Sequence, residues 1–235
     1  MQGIYEIIKK LKHVHDNEIL NLIVNNYSSV SAFSTSLGPE DQVITHMLSQ
    51  LDKDRNIHVF TLDTGRLFEE TYRLLDETQK ALNIAIKVYF PDFNLLEDLV
   101  NNHGINLFYE SEELRKKCCY VRKIEPLKRA FKDKLIWITG LRKEQSTYRK
   151  QMELIEYDEN FKIIKVNPLI NWDRKQIWDY IVSNNVPFNE LHKKGFLSIG
   201  CAPCTRSVHP GEDERAGRWW WELESKKECG LHFKE

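Results

Sequence analysis

Short β-rich runs in this chain pass straight into polar, glycine-bearing turns, and that alternation limits it to few folds. YSSVSAF (27–33) leads into STSLGPED and then the helical pattern VITHMLSQL. IHVFTL (57–62) leads into DTGR and a helix from about Leu67 to Leu82. IAIKVYF (84–90) closes at Pro91, and LIWITG (135–140) runs into LRKEQS. MELIEYDENFKIIKVNPL reads as two strands around an acidic turn. WDRKQIWDYIVSNN reads as a helix capped by Asp173, with Asn184 and Asn185 near its end. Strands alternating with helices predict an α/β fold with a doubly wound, mostly parallel sheet. Ligands of such sheets bind at the C-terminal ends of the strands. The polar motifs STSLGPED, DTGR and GLRKEQS are therefore expected to face one crevice.

A chain of 235 residues, 41% of them hydrophobic, suits one domain with a sizeable core. The expectation is a single domain over 1–235. It comprises a helical N-terminal segment (about 1–26) and, from about 187, an irregular C-terminal segment rich in glycine, proline and charge that carries a metal and ends in a mobile tail. The formal net charge of −1 gives no general signal for nucleic acid. Basic residues cluster locally instead, at Lys116, Lys117, Arg122, Lys123, Lys128 and Arg129, and again at Arg206, Arg215 and Arg218. The N-terminal MQGIYEIIKKLKHVHDNEI has the charge of an amphipathic segment and no apolar core of a signal peptide. No stretch approaches the roughly 18 apolar residues of a membrane span. These features predict a cytoplasmic protein without membrane or nucleic-acid partners; the oligomeric state, a homo-oligomer included, is not legible.

Ser34, Thr35, Ser36 and Gly38 form a hydroxyl- and glycine-bearing turn from strand to helix, where backbone N–H groups and hydroxyls can cradle a phosphate. The loop lacks the Gly-Lys-Ser/Thr ending of a P-loop, and no GxGxxG fingerprint is present. With Asp63, Thr64, Gly65 and Arg66 after the next strand and Gly140 after another, a nucleotide crevice is the better reading than a generic serine-rich turn.

All five cysteines fall in three small motifs: Cys118–Cys119 in KKCCYVRK, Cys201 and Cys204 in IGCAPCTR, and Cys229 in KKECGLHFKE. Without export, paired cysteines read as metal ligands or redox groups rather than as structural bridges. Four soft thiolates in two close pairs suit an iron–sulfur cluster or a structural zinc. Adjacent ligands are awkward on a helix, because neighbouring side chains diverge by about 100°. Pro126 marks a kink or a fresh helix start that eases this. Cys229 stands alone, with Lys226, Lys227 and His232 nearby to favour its thiolate. Trp219, Trp220 and Trp221 read as a packing anchor for the C-terminal segment.

In their order along the chain, SxxxGxxD, LDTGR, CC…RKIEPLKR, TGLRKEQS, IGCAPCTR, ERAGRWWWE and KECGLH resemble the assimilatory adenylylsulfate reductases, the iron–sulfur branch of the sulfonucleotide reductases. The resemblance covers roughly residues 28–235. It implies a PP-loop, adenine-nucleotide-hydrolase-like fold. It also implies reduction of adenosine 5′-phosphosulfate (APS) to sulfite and AMP, with thioredoxin as donor, in sulfate assimilation and cysteine biosynthesis. By the same resemblance Cys118, Cys119, Cys201 and Cys204 hold one 4Fe–4S cluster, and Cys229 is the nucleophile that carries an S-sulfo group. Substrate contacts are expected from Ser34, Ser36, Gly38, Asp63, Gly65, Arg66, Lys123, Gly140, Arg142, Arg215, Arg218 and His232, with Lys143 a further candidate. Relatives without the four cluster cysteines use the 3′-phosphorylated nucleotide (PAPS), so the intact set favours APS. The competing readings are a PP-loop ATP pyrophosphatase, which calls for a tighter SGGxDS loop, and a cluster-bearing redox sensor, which gives Cys229 no role.

Overall fold

The computed structural model describes residues 2–222. Six strands form one sheet: β1 (Ser31–Ser34), β2 (His58–Leu62), β3 (Lys87–Tyr89), β4 (Ile136–Ile138), β5 (Ile155–Asp158) and β6 (Ile163–Val166), in the order β3-β2-β1-β4-β6-β5. β1 pairs in parallel with β2 and β4, and β4 in parallel with β6. β5 is antiparallel to β6, returning beside it through the predicted acidic turn. There Asp158 Oδ1 accepts from the N–H groups of Asn160 and Phe161, both at 3.1 Å.

The mostly parallel sheet is the one expected. Every residue of β4 and β6 is buried, as in strands covered on both faces, which is why they read as unbroken apolar runs. Lys165 is the exception in chemistry, and its ammonium lies 5.0 Å from the centre of the Trp137 ring. The predicted strand over 84–90 is shorter than expected, only Lys87–Tyr89. From β1 the chain builds outward to β2 and β3, then crosses back to add β4 on β1's other side. The β1/β4 boundary is thus the topological switch point, where successive loops part and leave a crevice.

Eight α-helices are described: α1 (Gln2–Leu11), α2 (Ile19–Tyr27), α3 (Pro39–Leu51), α4 (Glu69–Leu82), α5 (Phe93–His103), α6 (Glu112–Cys119), α7 (Glu125–Ala130) and α8 (Arg174–Ser183). Asp173 caps α8 as predicted: its side chain accepts from Gln176 N at 2.7 Å, and Gln176 Oε1 accepts from Asp173 N at 2.8 Å. No described helix is long and apolar enough to cross a membrane.

The chain resolves into two compact units. The first comprises the chain up to Thr61, Glu70–Lys87 and Phe131–Glu190. Its core joins Phe33, Val43, Ile44 and Leu48 to Ile136, Ile138, Ile164 and Val166, with Leu11, Ile19 and Ile23 from the N-terminal helices. The second comprises Leu62–Glu69, Val88–Ala130 and the chain from Leu191. One of its apolar clusters is small: Leu99, Leu107, Phe108 and Val121 around Cys118. The C-terminal segment, expected as an excursion from a single domain, thus shares a unit with two earlier stretches of chain.

Candidate active site

In the first unit the β1 and β4 loops lie side by side. Gly38 N-caps α3 in an extended conformation (φ −71°, ψ 166°), and Pro39 opens the helix with its fixed φ. Ser34 Oγ accepts from the Trp137 indole at 2.7 Å, which ties β1 to β4. Thr35 Oγ1 accepts from Leu37 N at 3.0 Å. Ser36 donates both its N–H and its hydroxyl to Asp41 Oδ2, each at 2.6 Å. Burial pushes the Asp41 carboxyl up to about 6, against the pull of the Ser36 hydrogen bonds. Gly140 presses on the same carboxylate so closely that a Cβ there would collide with it.

Arg142 was expected at the phosphate. The structure buries it completely, and its Nε donates to Glu40 Oε1 at 2.7 Å. A buried guanidinium requires such a partner, so in this conformation Arg142 braces the loop rather than presenting itself to a ligand. Lys143 donates to Asn171 Oδ1 at 3.0 Å.

In the second unit, the DTGR loop makes a turn in which Asp63 Oδ1 accepts from Gly65 N at 2.7 Å. Gly65 has φ +70°, a left-handed conformation that glycine adopts without strain. Arg66 donates to Ile105 O at 2.9 Å and Asn106 Oδ1 at 3.0 Å, and its carbonyl accepts from Ala202 N at 2.7 Å. The loop thereby holds the CxxC segment through its backbone.

The two cysteine pairs, remote in sequence, meet. Cys118, Cys119, Cys201 and Cys204 line one cavity together with Arg66, Arg115, Arg122, Lys123 and Trp219. All four are free thiols. The adjacent pair is accommodated by a π-helical turn over Tyr120–Ile124, between α6 and α7. Its wider turn changes the angular step after Cys119, so the break begins before Pro126.

The thiols differ in electrostatics. Burial works against ionisation of Cys201, but Lys123, a contact from Thr64 Oγ1 at 3.2 Å, Arg218 and Arg122 outweigh it and hold the thiol below its usual range. Burial, then the neighbouring Cys201, pushes Cys204 up to about 12. Burial also raises Cys118, with Arg122 opposing. Thiols that raise one another in this way are relieved by a positive centre among them. Among the described residues no group of three or more His, Cys, Asp or Glu side chains converges to hold a metal ion. The four sulfurs instead line the walls of a shared space. That donor set, the surrounding cations and the buried Arg115 Nη2 and Arg218 Nε, both without hydrogen-bond partners, fit an anionic, thiolate-held group.

Arg218 donates weakly to Ser198 and Ile199, and its guanidinium lies 4.8 Å from the Trp219 ring. Arg215, partly buried, donates its N–H to Asp213 at 2.9 Å. Trp219 is buried, Trp221 packs on Tyr109 at 4.5 Å, and Trp220 is 40% exposed. Cys229 and His232 lie outside the described residues. Sequence reasoning overlooked Arg115, Thr64 as a partner of Cys201, and the buried Glu40–Arg142 pair. Only Arg115 left a local sign, one helical turn before the CC pair.

A mostly parallel sheet with a switch point in the first unit and, in the second, a cavity lined by four thiols and several cations define an α/β protein of the nucleotide-binding kind. Residues 31–207 match the phosphoadenosine phosphosulfate reductase domain, and the chain belongs to that family. It is 50% identical over 205 residues to the adenosine 5′-phosphosulfate reductase of Sinorhizobium fredii (strain NBRC 101917 / NGR234), covering 87% of this chain and 81% of the relative. The crystal structure of a phosphoadenylyl-sulfate (PAPS) reductase from Candida auris, a phosphate complex, superposes with a TM-score of 0.70 at 30% identity, over 88% of this chain and 97% of that one. An FMN adenylyltransferase from Candida glabrata shares the fold alone, with a TM-score of 0.56 at 17% identity over 86% of this chain and 66% of that one.

Proposed function

We propose that this protein reduces APS to sulfite and AMP in sulfate assimilation. The observation that carries the reading is the meeting of four thiols from two remote motifs in one cation-lined cavity, in a chain half identical to a protein named for that activity. Cys118, Cys119, Cys201 and Cys204 would hold a 4Fe–4S cluster, which supplies a fixed charge distribution near the chemistry. The Ser34–Gly38 loop and Gly140, at the switch point, would bind the nucleotide. Asp63, Gly65 and Arg66, in the DTGR loop, are further candidates for contact with substrate.

The thiolate of Cys229 attacks the sulfonyl sulfur. The bond from that sulfur to the bridging phosphate oxygen breaks, AMP leaves with the electron pair, and Cys229 carries S-sulfonate. Nucleophile and substrate are both anionic, so Lys123, Arg215, Arg218 and His232 serve to offset their repulsion. A thiolate of thioredoxin then attacks the Cys229 sulfur and releases sulfite. Its second thiol resolves the mixed disulfide, restoring Cys229. The dithiol supplies both electrons.

Incubation with APS and no reductant should add about 80 Da, one SO₃ group, to the Cys229 peptide. Cys229→Ser should retain iron and form no adduct. An adduct on another cysteine, or sulfite production by the serine variant at the normal rate, rejects the assignment. Parallel assays with APS and PAPS decide the nucleotide.

A further inference from the structure

Ser34 ends β1, at the carboxyl edge of the sheet where ligands of parallel sheets bind. Side chains alternate along a strand, and Phe33 and Ile138 belong to the apolar core of the first unit. Their neighbours Ser34 and Trp137 share the opposite face, where the indole reaches the serine. Trp137 is buried between Phe131 and Phe161, whose ring centres lie 5.0 and 5.8 Å from its own. The Lys165 ammonium lies 5.0 Å from the same ring.

An indole N–H can only donate. At 2.7 Å from Trp137 Nε1, Ser34 Oγ therefore accepts, and it keeps its own proton to give. Among the described residues no acceptor takes that proton, and the side chain is half-buried, not sealed. Ser36 is the opposite case. It spends its hydroxyl proton and its N–H on Asp41 Oδ2, each at 2.6 Å. Although exposed, its oxygen has only lone pairs left to offer, and these repel the oxygens of a phosphate. Thr35 is buried, and its hydroxyl accepts from Leu37 N at 3.0 Å. Neighbours outside the loop thus set opposite polarities on its two accessible hydroxyls.

We propose that Ser34 is the loop hydroxyl that donates to the phosphate of the nucleotide, and that Trp137 is the positioning residue that fixes it as a donor. This deepens, and rests on, the reading of the Ser34–Gly38 loop as the nucleotide site. The buried Lys165 serves the same end. A cation against the ring face draws on its electron density and strengthens the indole N–H as a donor. A hydroxyl oxygen that receives a hydrogen bond in turn gives its own proton more readily.

The test measures equilibrium binding of AMP, and of adenosine as the control without phosphate, to the full chain and its variants. Ser34→Ala should weaken AMP about tenfold, the loss expected for one hydrogen bond to a charged group. Ser34→Thr, which keeps the hydroxyl, should recover most of that affinity. Ser36→Ala should weaken AMP by less than about threefold, since its proton is already committed to Asp41. Trp137→Phe should weaken AMP about fivefold, within the cost of immobilising one side chain on binding. Trp137→benzothienylalanine, which puts sulfur where the indole has N–H at nearly equal size, should reproduce that loss without disturbing the packing. The double variant Ser34→Ala with Trp137→Phe should bind AMP no more weakly than Ser34→Ala, because Trp137 acts through Ser34. Adenosine should bind every variant as it binds wild type, which also reports that each is folded. Undiminished AMP affinity in Ser34→Ala, or a larger loss in Ser36→Ala, would overturn the assignment of Ser34. Additive losses in the double variant, or full affinity with benzothienylalanine, would overturn the role of Trp137. A wild type that binds AMP but converts no APS would instead refute the proposed reaction, and the comparison of variants would still decide this inference.

Discussion

Asp41 shows at the scale of one residue how packing sets chemistry in the nucleotide loop. It is buried, holds Ser36 by two hydrogen bonds, and is pressed by Gly140. Burial is the largest influence on its carboxyl, the Ser36 bonds oppose it, Glu40 raises it and Arg149 lowers it, leaving it at about 6. The folded protein therefore keeps a proton that the unfolded chain releases near pH 4. Stability should fall as pH rises from about 4 through about 6, by roughly 3 kcal/mol in all for this one group. Asp41→Asn should flatten that part of the pH profile, as measured by urea unfolding between pH 4 and 8. Parallel profiles would show that Asp41 titrates normally. Gly140→Ala should cost roughly 1–3 kcal/mol, because its methyl group would overlap the Asp41 carboxylate and crowd Glu40 Cβ at 3.1 Å. Asp41 was visible as the last letter of the SxxxGxxD motif. Its altered acidity was not, because desolvation depends on what the β4 loop lays over it.

At the scale of elements, two short devices carry much of the local order. The Asp173–Gln176 capping box satisfies N–H groups at the start of α8. Asp173→Ala should cost about 1 kcal/mol, with little change in the slope of the unfolding curve. The π-helical turn at Tyr120–Ile124 is the second device. Deleting the half-exposed Tyr120 would convert it to ordinary α-helix and rotate the CC pair by about 100° relative to α7. If the four thiolates hold a cluster, such a deletion should preserve helical circular dichroism while the purified protein loses iron. Normal iron content would mean that the turn does not orient the cysteines. The cap was legible because its residues are neighbours in sequence. Strand β3 was overextended because IAIKVYF has the right composition, whereas strand length is settled by the partner available for pairing.

At the scale of the whole molecule, the two units differ in what stabilises them. The first has an extended apolar core spanning sheet and helices. The second gathers three remote stretches of chain around the cysteine cavity, with few large aliphatic side chains in the cluster at Cys118. If four thiolates hold a cluster there, its binding energy is folding energy for that unit. Iron removal under reducing conditions should strip amide-exchange protection from 88–130 and 191–222, while β1, β4 and β6 keep theirs. Uniform loss across both units would show that they unfold together.

Local pattern in the sequence was enough for the strands and helices, the parallel sheet, the cap of α8, the grouping of the cysteines and the family resemblance. Each depends on residue type at short spacing, where periodicity and side-chain chemistry act directly. Tertiary structure alone decided that Cys118 shares a cavity with Cys201, that Arg142 is committed to Glu40, and that Thr64 meets Cys201 while Arg115 meets Glu222. Those partners are 83, 102, 137 and 107 residues apart. Nothing in local periodicity selects among distant partners; strand order and burial do, by fixing which side chains lose water together and must find their hydrogen bonds in one another.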